Sequence, residues 1–247
     1  MAAWNIGKVI EHKHWSKSLR SLYVESDIEP FEAGQFVKIA LTINGEIIGR
    51  PYSLVNPPGS QPLEFYYIEV PNGPLTARLS ALRPGDEIQV APKAHGFLIL
   101  DELPRARHLW MMATGTGIGP FLSILATDKP WIRFERVTLV YAVRFVSELS
   151  YQERIAQIFA KRSKQFSFIP FVSRETVDLT LLGRIPQAIS DGRLEMHAGI
   201  EFSAENSQVM LCGNPQMVRD TSNALIGRGL KKNRRFDPGH ITVENYW

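Results

Sequence analysis

The sequence predicts a two-domain β + α/β protein, an antiparallel β-barrel over residues 1–100 followed by a doubly wound parallel sheet over residues 101–247. Three observations carry that reading. The chain has 247 residues, a length that suits two modest domains better than one small module. Up to about residue 100, short β-like runs are separated by turn residues, the pattern of a small barrel or sandwich. Beyond Asp101, apolar strand-like runs alternate with helical ones, which calls for parallel strands covered by helices.

In the first half the expected strands are Ile6–Ile10, Leu19–Glu25, Phe36–Leu41, Tyr52–Val55, Leu63–Val70 and Glu87–Val90. Gly34, Asn44-Gly45, Pro57-Pro58-Gly59, Asn72-Gly73 and Pro84-Gly85 punctuate them, each favouring a turn through fixed or permissive φ. One helix is expected over Pro74–Leu82, where Leu75, Leu79 and Leu82 recur at helical spacing before Pro84-Gly85 ends the run. In the second half strand–helix pairs are expected at Leu109–Ala113 with Ile118–Ala126, Val137–Val143 with Leu149–Ala160, and Phe166–Val172 with Ile185–Ile189. Val209–Cys212, a helix over Pro215–Ile226 and a last strand at His240–Val243 complete the series.

Composition narrows the function. Hydrophobic residues are 44% and charged residues 21% of the chain, an ordinary globular mixture that excludes wholesale disorder and fibrous classes. The single cysteine, Cys212, can form neither an internal disulfide, an iron–sulfur cluster nor a zinc framework, and it suits a reducing compartment. No metal site is expected. The opening MAAWNIGKVIEHKHW lacks a signal-peptide core, and no apolar run is long enough to span a bilayer. The expectation is a soluble, cytoplasmic protein with no membrane partner, working as a monomer. Net charge is +3, concentrated in the run Arg228, Lys231, Lys232, Arg234 and Arg235. Such a run suits an acidic partner or a solvated loop. Nucleic acid is disfavoured, since the run lacks interleaved aromatics and no recognition fold is evident.

The strongest local signal is Ala113-Thr114-Gly115-Thr116-Gly117-Ile118-Gly119-Pro120, which follows an apolar strand and opens an apolar helix. Glycines there admit a phosphate to the backbone, and a helix N-terminus adds free N–H groups. Pro120 stands at the last glycine position of G-x-G-x-x-G, so the loop taken alone is either a pyrophosphate site or a plain strand-to-helix turn. An acidic residue ending the next strand would mark NAD, whereas arginine suits the 2′-phosphate of NADP. Here the strand VTLVYAV runs into Arg144, the run FIPFV ends in Ser173-Arg174, and Arg184 follows ten residues later. Three planar, permanently charged guanidiniums near neighbouring strand ends favour NADP. In the first half, Arg50-Pro51-Tyr52-Ser53 joins a cation, an aromatic face and a small hydroxyl, suited to a flavin dinucleotide or to a bland strand edge.

Four motifs occur in order: RPYS at 50–53, ATGTGIGP at 113–120, CGNPQM at 212–217 and the ending VENYW. Together they make the chain similar to the ferredoxin (or flavodoxin)–NADP+ reductases of the bacterial type, over nearly its whole length. The resemblance implies FAD on the barrel, NADP(H) on the α/β domain, and flavodoxin or ferredoxin as an acidic redox carrier. Carried over by position, it assigns Arg50 to the FAD pyrophosphate, Tyr52 to the isoalloxazine or ribityl chain, and Ser53 to the neighbourhood of flavin N5. Pro51 fills the motif's variable slot. Tyr67, Ile68 and Glu69, with Pro74, Leu75 and Thr76, complete the FAD site. Thr116 falls between flavin and nicotinamide. Arg144, Ser173, Arg174 and Arg184 hold the 2′-phosphate end, and Asn214, Gln216 and Asp220 contribute to the cofactor cleft. Cys212, with Gly213, borders the nicotinamide. Glu244 and Tyr246 match the E-x-Tyr ending, Tyr246 covering the flavin and Trp247 stacking on the adenine of FAD.

The implied reaction is electron exchange between NADPH, which gives a hydride to FAD N5, and a carrier that takes electrons singly. The protein's part is to position the two cofactors. Ser53 and Glu244 are candidates for orienting rings or exchanging the N5 proton. The alternative reading is a reductase of the same superfamily acting on free flavin or on an oxygenase component.

Overall fold

The computed structural model describes residues 4–245. Its chain divides into two compact units, Met1–Ile99 with Gly119–Thr127, and Leu100–Ile118 with Asp128–Trp247.

The first unit is built on β1 (Asn5–His14), β2 (Leu19–Glu25), β3 (Phe36–Ile43), β4 (Glu46–Ser53), β5 (Leu63–Ile68) and β6 (Glu87–Val90). All pair antiparallel, in the order β4-β3-β6-β1-β2-β5. A bridge between Leu54 and Phe65, with Val55 N–H donating to the Glu64 carbonyl at 3.0 Å, joins the two outer strands and closes the barrel. Alternation sends Val9, Leu22, Val24, Val37, Ile39, Leu63, Phe65 and Val90 into one core. Helix α1 is only Thr76–Leu79, and α2 (Gly119–Leu125) is buried along its whole length. Ser123 of α2 donates to the Asn56 carbonyl at 2.8 Å.

The second unit contains β7 (His108–Thr114), β8 (Arg136–Val143), β9 (Phe166–Val172), β10 (Leu181–Leu182), β11 (Ser207–Gly213) and β12 (Ile241–Asn245). They form a wholly parallel sheet in the order β10-β9-β8-β7-β11-β12. The strands step outward from β7 to β10 and then return to its other side, so the switch point of this doubly wound sheet lies between β7 and β11. Helices α3 (Lys129–Arg133), α4 (Gln152–Arg162), α5 (Ile185–Ser190), α6 (Arg193–Ala198) and α7 (Pro215–Gly227) complete the unit. Trp110, Met112, Val140, Phe171, Ile189 and Leu211 belong to its core.

Several expected boundaries move, for identifiable reasons. The strand expected at Tyr52–Val55 runs instead from Glu46 to Ser53; it lies at the edge of the sheet order, where Pro51 removes no needed donor. The expected helix Pro74–Leu82 shrinks to one turn. The helix expected from Ile118 begins at Gly119, after a 3-10 turn over Gly115–Ile118. The helix expected from Leu149 begins at Gln152, because Tyr151 adopts a left-handed φ of 63°. Helices α3 and α6 and the two-residue β10 are additions to the expected series. Among the described residues no helix is long and apolar enough to cross a membrane.

Candidate functional site

At the switch point the backbone is packed too closely for side chains. A Cβ on Gly213, where φ is +128°, would lie 2.4 Å from Thr114 Oγ1 and 2.6 Å from the Thr114 carbonyl oxygen. One on Gly117 would lie 2.5 Å from the Cys212 carbonyl oxygen. Gly115 differs: its φ is +53° and nothing lies within 4 Å of the missing Cβ. Two glycines therefore join the loop to β11, while the third leaves open backbone, as a phosphate site requires. Thr114 Oγ1 also accepts from Asn214 N–H at 2.9 Å, a contact that sequence reasoning missed. The Asn214 side chain caps α7 by accepting from Gln216 and Met217 N–H at 2.9 and 3.2 Å. Gln216 donates to Asp220 at 2.7 Å, so the candidate residues Asn214, Gln216 and Asp220 lie within the first two turns of α7. Thr116 sits half-buried within the 3-10 turn.

Parallel register aligns Ala113 with Cys212, and Cys212 with Glu244. Residues far apart in sequence thus form one row on one face of the sheet. Cys212 is fully buried and Glu244 half-buried. Tyr246 and Trp247 lie outside the described residues.

A second row carries the arginines. Val143, Val172 and Leu182 are register partners across β8, β9 and β10, and Arg144, Ser173-Arg174 and Gly183-Arg184 follow them directly. Backbone bonds continue the ladder: Ser173 N–H to the Val143 carbonyl at 3.1 Å, Arg174 N–H to Arg144 at 3.0 Å, and Gly183 N–H to Val172 at 3.2 Å. Three guanidiniums therefore leave three adjacent strand ends, whose backbones span about 10 Å. Among the described residues neither Arg174 nor Arg184 is paired with a carboxylate, and the Arg144 Nε lies only within 4.0 Å of Glu148. Glu148 instead accepts from the backbone N–H groups of Arg144 and Phe145 at 2.9 and 3.3 Å. Glu175 accepts from Val146 N–H. Their carboxylates shape the loop behind the strand ends. The sequence carries no signal for them beyond an acidic residue close behind a strand end. The row suits a phosphate dianion.

In the first unit, β4 leaves Arg50 exposed, Tyr52 half-buried and Ser53 buried, with Pro51 exposed between them. Arg50 Nη1 donates to the Gly49 carbonyl at 2.8 Å, and among the described residues no carboxylate pairs with it. The Tyr52 ring stands edge-on to Tyr67 at 6.3 Å, and burial, reinforced by Tyr67, pushes its phenol far above the ordinary range. Burial likewise raises Tyr67 to about 12. Ile68 and Glu69 follow on β5 and its end. Arg20 donates to Glu69 at 2.6 Å, and this bond, with one from Ser80, holds the carboxyl below its usual range. Thr76 Oγ1 accepts from Val70 N–H at 3.1 Å and closes the turn that carries Pro74 and Leu75. The backbone N–H groups of Leu75 and Thr76 meet no acceptor among the described residues. With α1 a single turn, such individual N–H groups matter more than any helix dipole. A guanidinium without a carboxylate, two free amides and the edge-on pair of a half-buried Tyr52 and a buried Tyr67 fit a ring joined to a diphosphate.

The basic run is less free than its sequence suggests. Arg228 donates twice to Glu195, at 2.6 and 2.9 Å; Lys231 pairs with Asp237 at 2.8 Å, and Arg235 with Glu102 at 3.7 Å. Lys232 is exposed and, among the described residues, without a carboxylate partner.

Comparisons with known proteins agree with this geometry. The family model described as oxidoreductase NAD-binding domain matches residues 111–223, which contain the glycine loop and all three arginines. The chain is 48% identical to a flavodoxin/ferredoxin–NADP reductase of Escherichia coli (strain K12), covering 100% of both chains. It is 35% identical to a ferredoxin–NADP reductase of Azotobacter vinelandii, over 99% of this chain and 98% of that one. Among solved structures, a ferredoxin NADP+ reductase from Neisseria gonorrhoeae with bound FAD and NADP superposes with a TM-score of 0.93 at 32% identity, covering 100% of both chains. The two-domain fold recurs in a solved structure that matches this chain from end to end, and the chain belongs to the family of flavodoxin/ferredoxin–NADP reductases.

Proposed function

We infer that the protein is a flavoenzyme that exchanges electrons between NADPH and a small acidic one-electron carrier, flavodoxin or ferredoxin. The observation that carries this reading is the row of Arg144, Arg174 and Arg184 on three adjacent strand ends, beside a switch-point crevice stripped of side chains. End-to-end similarity to reductases named for such carriers favours it over reduction of free flavin or of an oxygenase component.

The FAD domain is assigned to residues 1–100 and the NADP(H) domain to 101–247. When bound, FAD and NADPH supply the redox chemistry, two electrons entering together and leaving singly. Arg50 is assigned to the FAD pyrophosphate, with the amides of Leu75 and Thr76 as further donors. Tyr52 packs on the flavin, with Tyr67, Ile68 and Glu69 lining its site, and the Ser53 hydroxyl serves a hydrogen bond at N5. Arg144, Ser173, Arg174 and Arg184 bind the 2′-phosphate. The Gly115 backbone, Thr116, Asn214, Gln216 and Asp220 hold the rest of the dinucleotide. Cys212 excludes water beside the nicotinamide, and Glu244 orients it or holds the exchanging proton. Tyr246 and Trp247 are assigned as stacking covers of FAD. The carrier docks at the basic hairpin through Lys232 and Arg234, since the other cations of the run are engaged. The protein is assigned as a cytoplasmic monomer, and the lone buried cysteine accords with a reducing compartment.

Flavin released from the denatured protein and identified by chromatography tests the reading. FAD, with anaerobic bleaching of the holoprotein by NADPH, is the expected result; FMN, or no flavin after reconstitution, contradicts it.

A further inference from the structure

A β-bulge decides which side chain of β1 faces the barrel interior. Val9 pairs with Val24, but the register then slips, so that Glu11 pairs with Tyr23 and His12 with Leu22. In an unbroken ladder Ile10 would oppose Tyr23, and Glu11 would oppose the fully buried Leu22. One inserted residue therefore exchanges a glutamate for a histidine on the inward face.

Two bonds then fix that histidine. His12 Nδ1 lies 3.0 Å from the Leu82 carbonyl oxygen, and Nε2 lies 2.9 Å from the Tyr67 hydroxyl. A carbonyl only accepts, so Nδ1 carries the proton; Nε2 of the neutral ring is then the acceptor and Tyr67 O–H the donor. Tyr67 is 2% exposed, stacks beside His12 at 6.1 Å and stands edge-on to Tyr52. Its oxygen lies 3.4 Å from Ser80 Oγ, just beyond α1. One imidazole thus ties β1, β5 and the segment after α1 together behind Tyr52.

We propose that His12 is a positioning residue of the FAD site: its neutral ring, accepting from Tyr67, holds that side chain against Tyr52, and its protonation reverses this bond, puts a charge behind Tyr52 and weakens FAD binding. The proposal rests on the flavin reading of Tyr52 and of the segment around α1. The groups facing His12 are His14 on β1, with its ring 5.3 Å away, Arg20 on β2, Tyr67 and Glu69 on β5, and the Leu82 carbonyl. Burial lowers the His12 pKa from its ordinary 6.5, against the opposing bond to Leu82 and with help from His14 and Arg20. The ring is therefore neutral at neutral pH. When a solvent proton binds Nε2, that atom becomes a donor and can no longer accept from Tyr67. The contact reverses: the Tyr67 oxygen accepts from Nε2–H while its own O–H turns to Ser80, the longer contact. FAD affinity is accordingly full above the His12 pKa and falls as pH drops through it, below 6.5.

The test is the FAD dissociation constant of the deflavinated full chain, read from quenching of flavin fluorescence between about pH 8 and about pH 5.5, with thermal unfolding followed in parallel. The wild type is expected to bind severalfold more weakly at the acid end, the loss still growing as pH falls. His12→Gln offers Leu82 a donor and Tyr67 an acceptor without titrating, so it should keep the neutral-pH affinity and flatten the profile. His14→Gln should keep a titrating profile, moved toward higher pH, and His12→Leu should bind weakly throughout. A wild-type profile retained in His12→Gln, or wild-type affinity in His12→Leu, overturns the role of His12 while leaving the FAD site standing; should His12→Leu not fold, His12→Gln decides. A wild-type chain that binds no FAD at any pH overturns the flavin reading itself.

Discussion

The two candidate sites are held by different means. Around Tyr52 in the barrel, position is set by side chains: buried rings, a histidine with two bonds, and Arg20 bonded to Glu69. At the sheet's carboxyl ends, position is set by the backbone, through register, three glycines and a threonine–amide contact, and the three arginines themselves are exposed. The difference teaches where each site is vulnerable. A backbone-built site fails when a Cβ is added where none fits, yet tolerates loss of an exposed cation with its fold intact. A side-chain-built site fails by losing a partner.

The largest expected effect breaks the backbone-built site. Gly213→Ala places a Cβ against Thr114 backbone in a left-handed conformation, and urea unfolding should show a loss of about 3 kcal/mol. Gly115→Ala meets open space and should cost about 1–2 kcal/mol, from φ alone, while NADP+ binding weakens. Equal losses of stability would contradict the distinction between closed and open glycines.

The nucleotide-binding row should respond next. Each charge-assisted contact to a phosphate contributes about 1.5–3 kcal/mol before non-additivity, so Arg144→Ala with Arg184→Ala should raise KM for NADPH by at least about tenfold. KM for NADH should hardly move, and thermal stability should be unchanged. Parallel losses for both nucleotides would make these arginines structural.

A smaller effect concerns the stacking cover assigned to Tyr246. Aromatic stacking contributes about 0.5–1.5 kcal/mol beyond burial, so Tyr246→Ser should tighten NADP+ severalfold in flavin difference titrations while loosening FAD. Unchanged affinities for both would remove the cover from the account. The smallest effect is expected for Lys232→Glu, which should slow carrier reduction chiefly at low ionic strength. Arg228→Glu should act mainly on stability, because Arg228 is bound to Glu195, whose side chain is 8% exposed. A carrier rate that ignores both salt and Lys232 places the docking face elsewhere.

The same difference governs what could be read from sequence. Leu19–Glu25 and Glu87–Val90 appear as strands with the expected bounds, because alternation and flanking turns coincide there. The arginine row was legible too, since a residue that follows a parallel strand must emerge at the carboxyl edge. His12 was not: a bulge leaves no mark in composition, and without it Glu11 occupies the inward position. Strand β4 was placed too late in the chain, at Tyr52–Val55, because Glu46–Arg50 lacks a buried alternating face; as an edge strand it accepts Gly49 and Pro51. Helix α6 was missed because its six residues are too few to establish a period. The partners that neutralise Arg228, Lys231 and Arg235 come from α6, the hairpin and the segment before β7, a tertiary fact that no local charge pattern contains.

Anaerobic stopped-flow transfer from NADPH to oxidised flavodoxin tests the central claim most directly. The account requires that NADPH bleach the flavin of the holoprotein far faster than NADH does at equal concentration, and that added flavodoxin then restore its absorbance while becoming reduced itself. Equal rates with the two nucleotides, or a reduced flavin that flavodoxin and ferredoxin both fail to reoxidise, would contradict it.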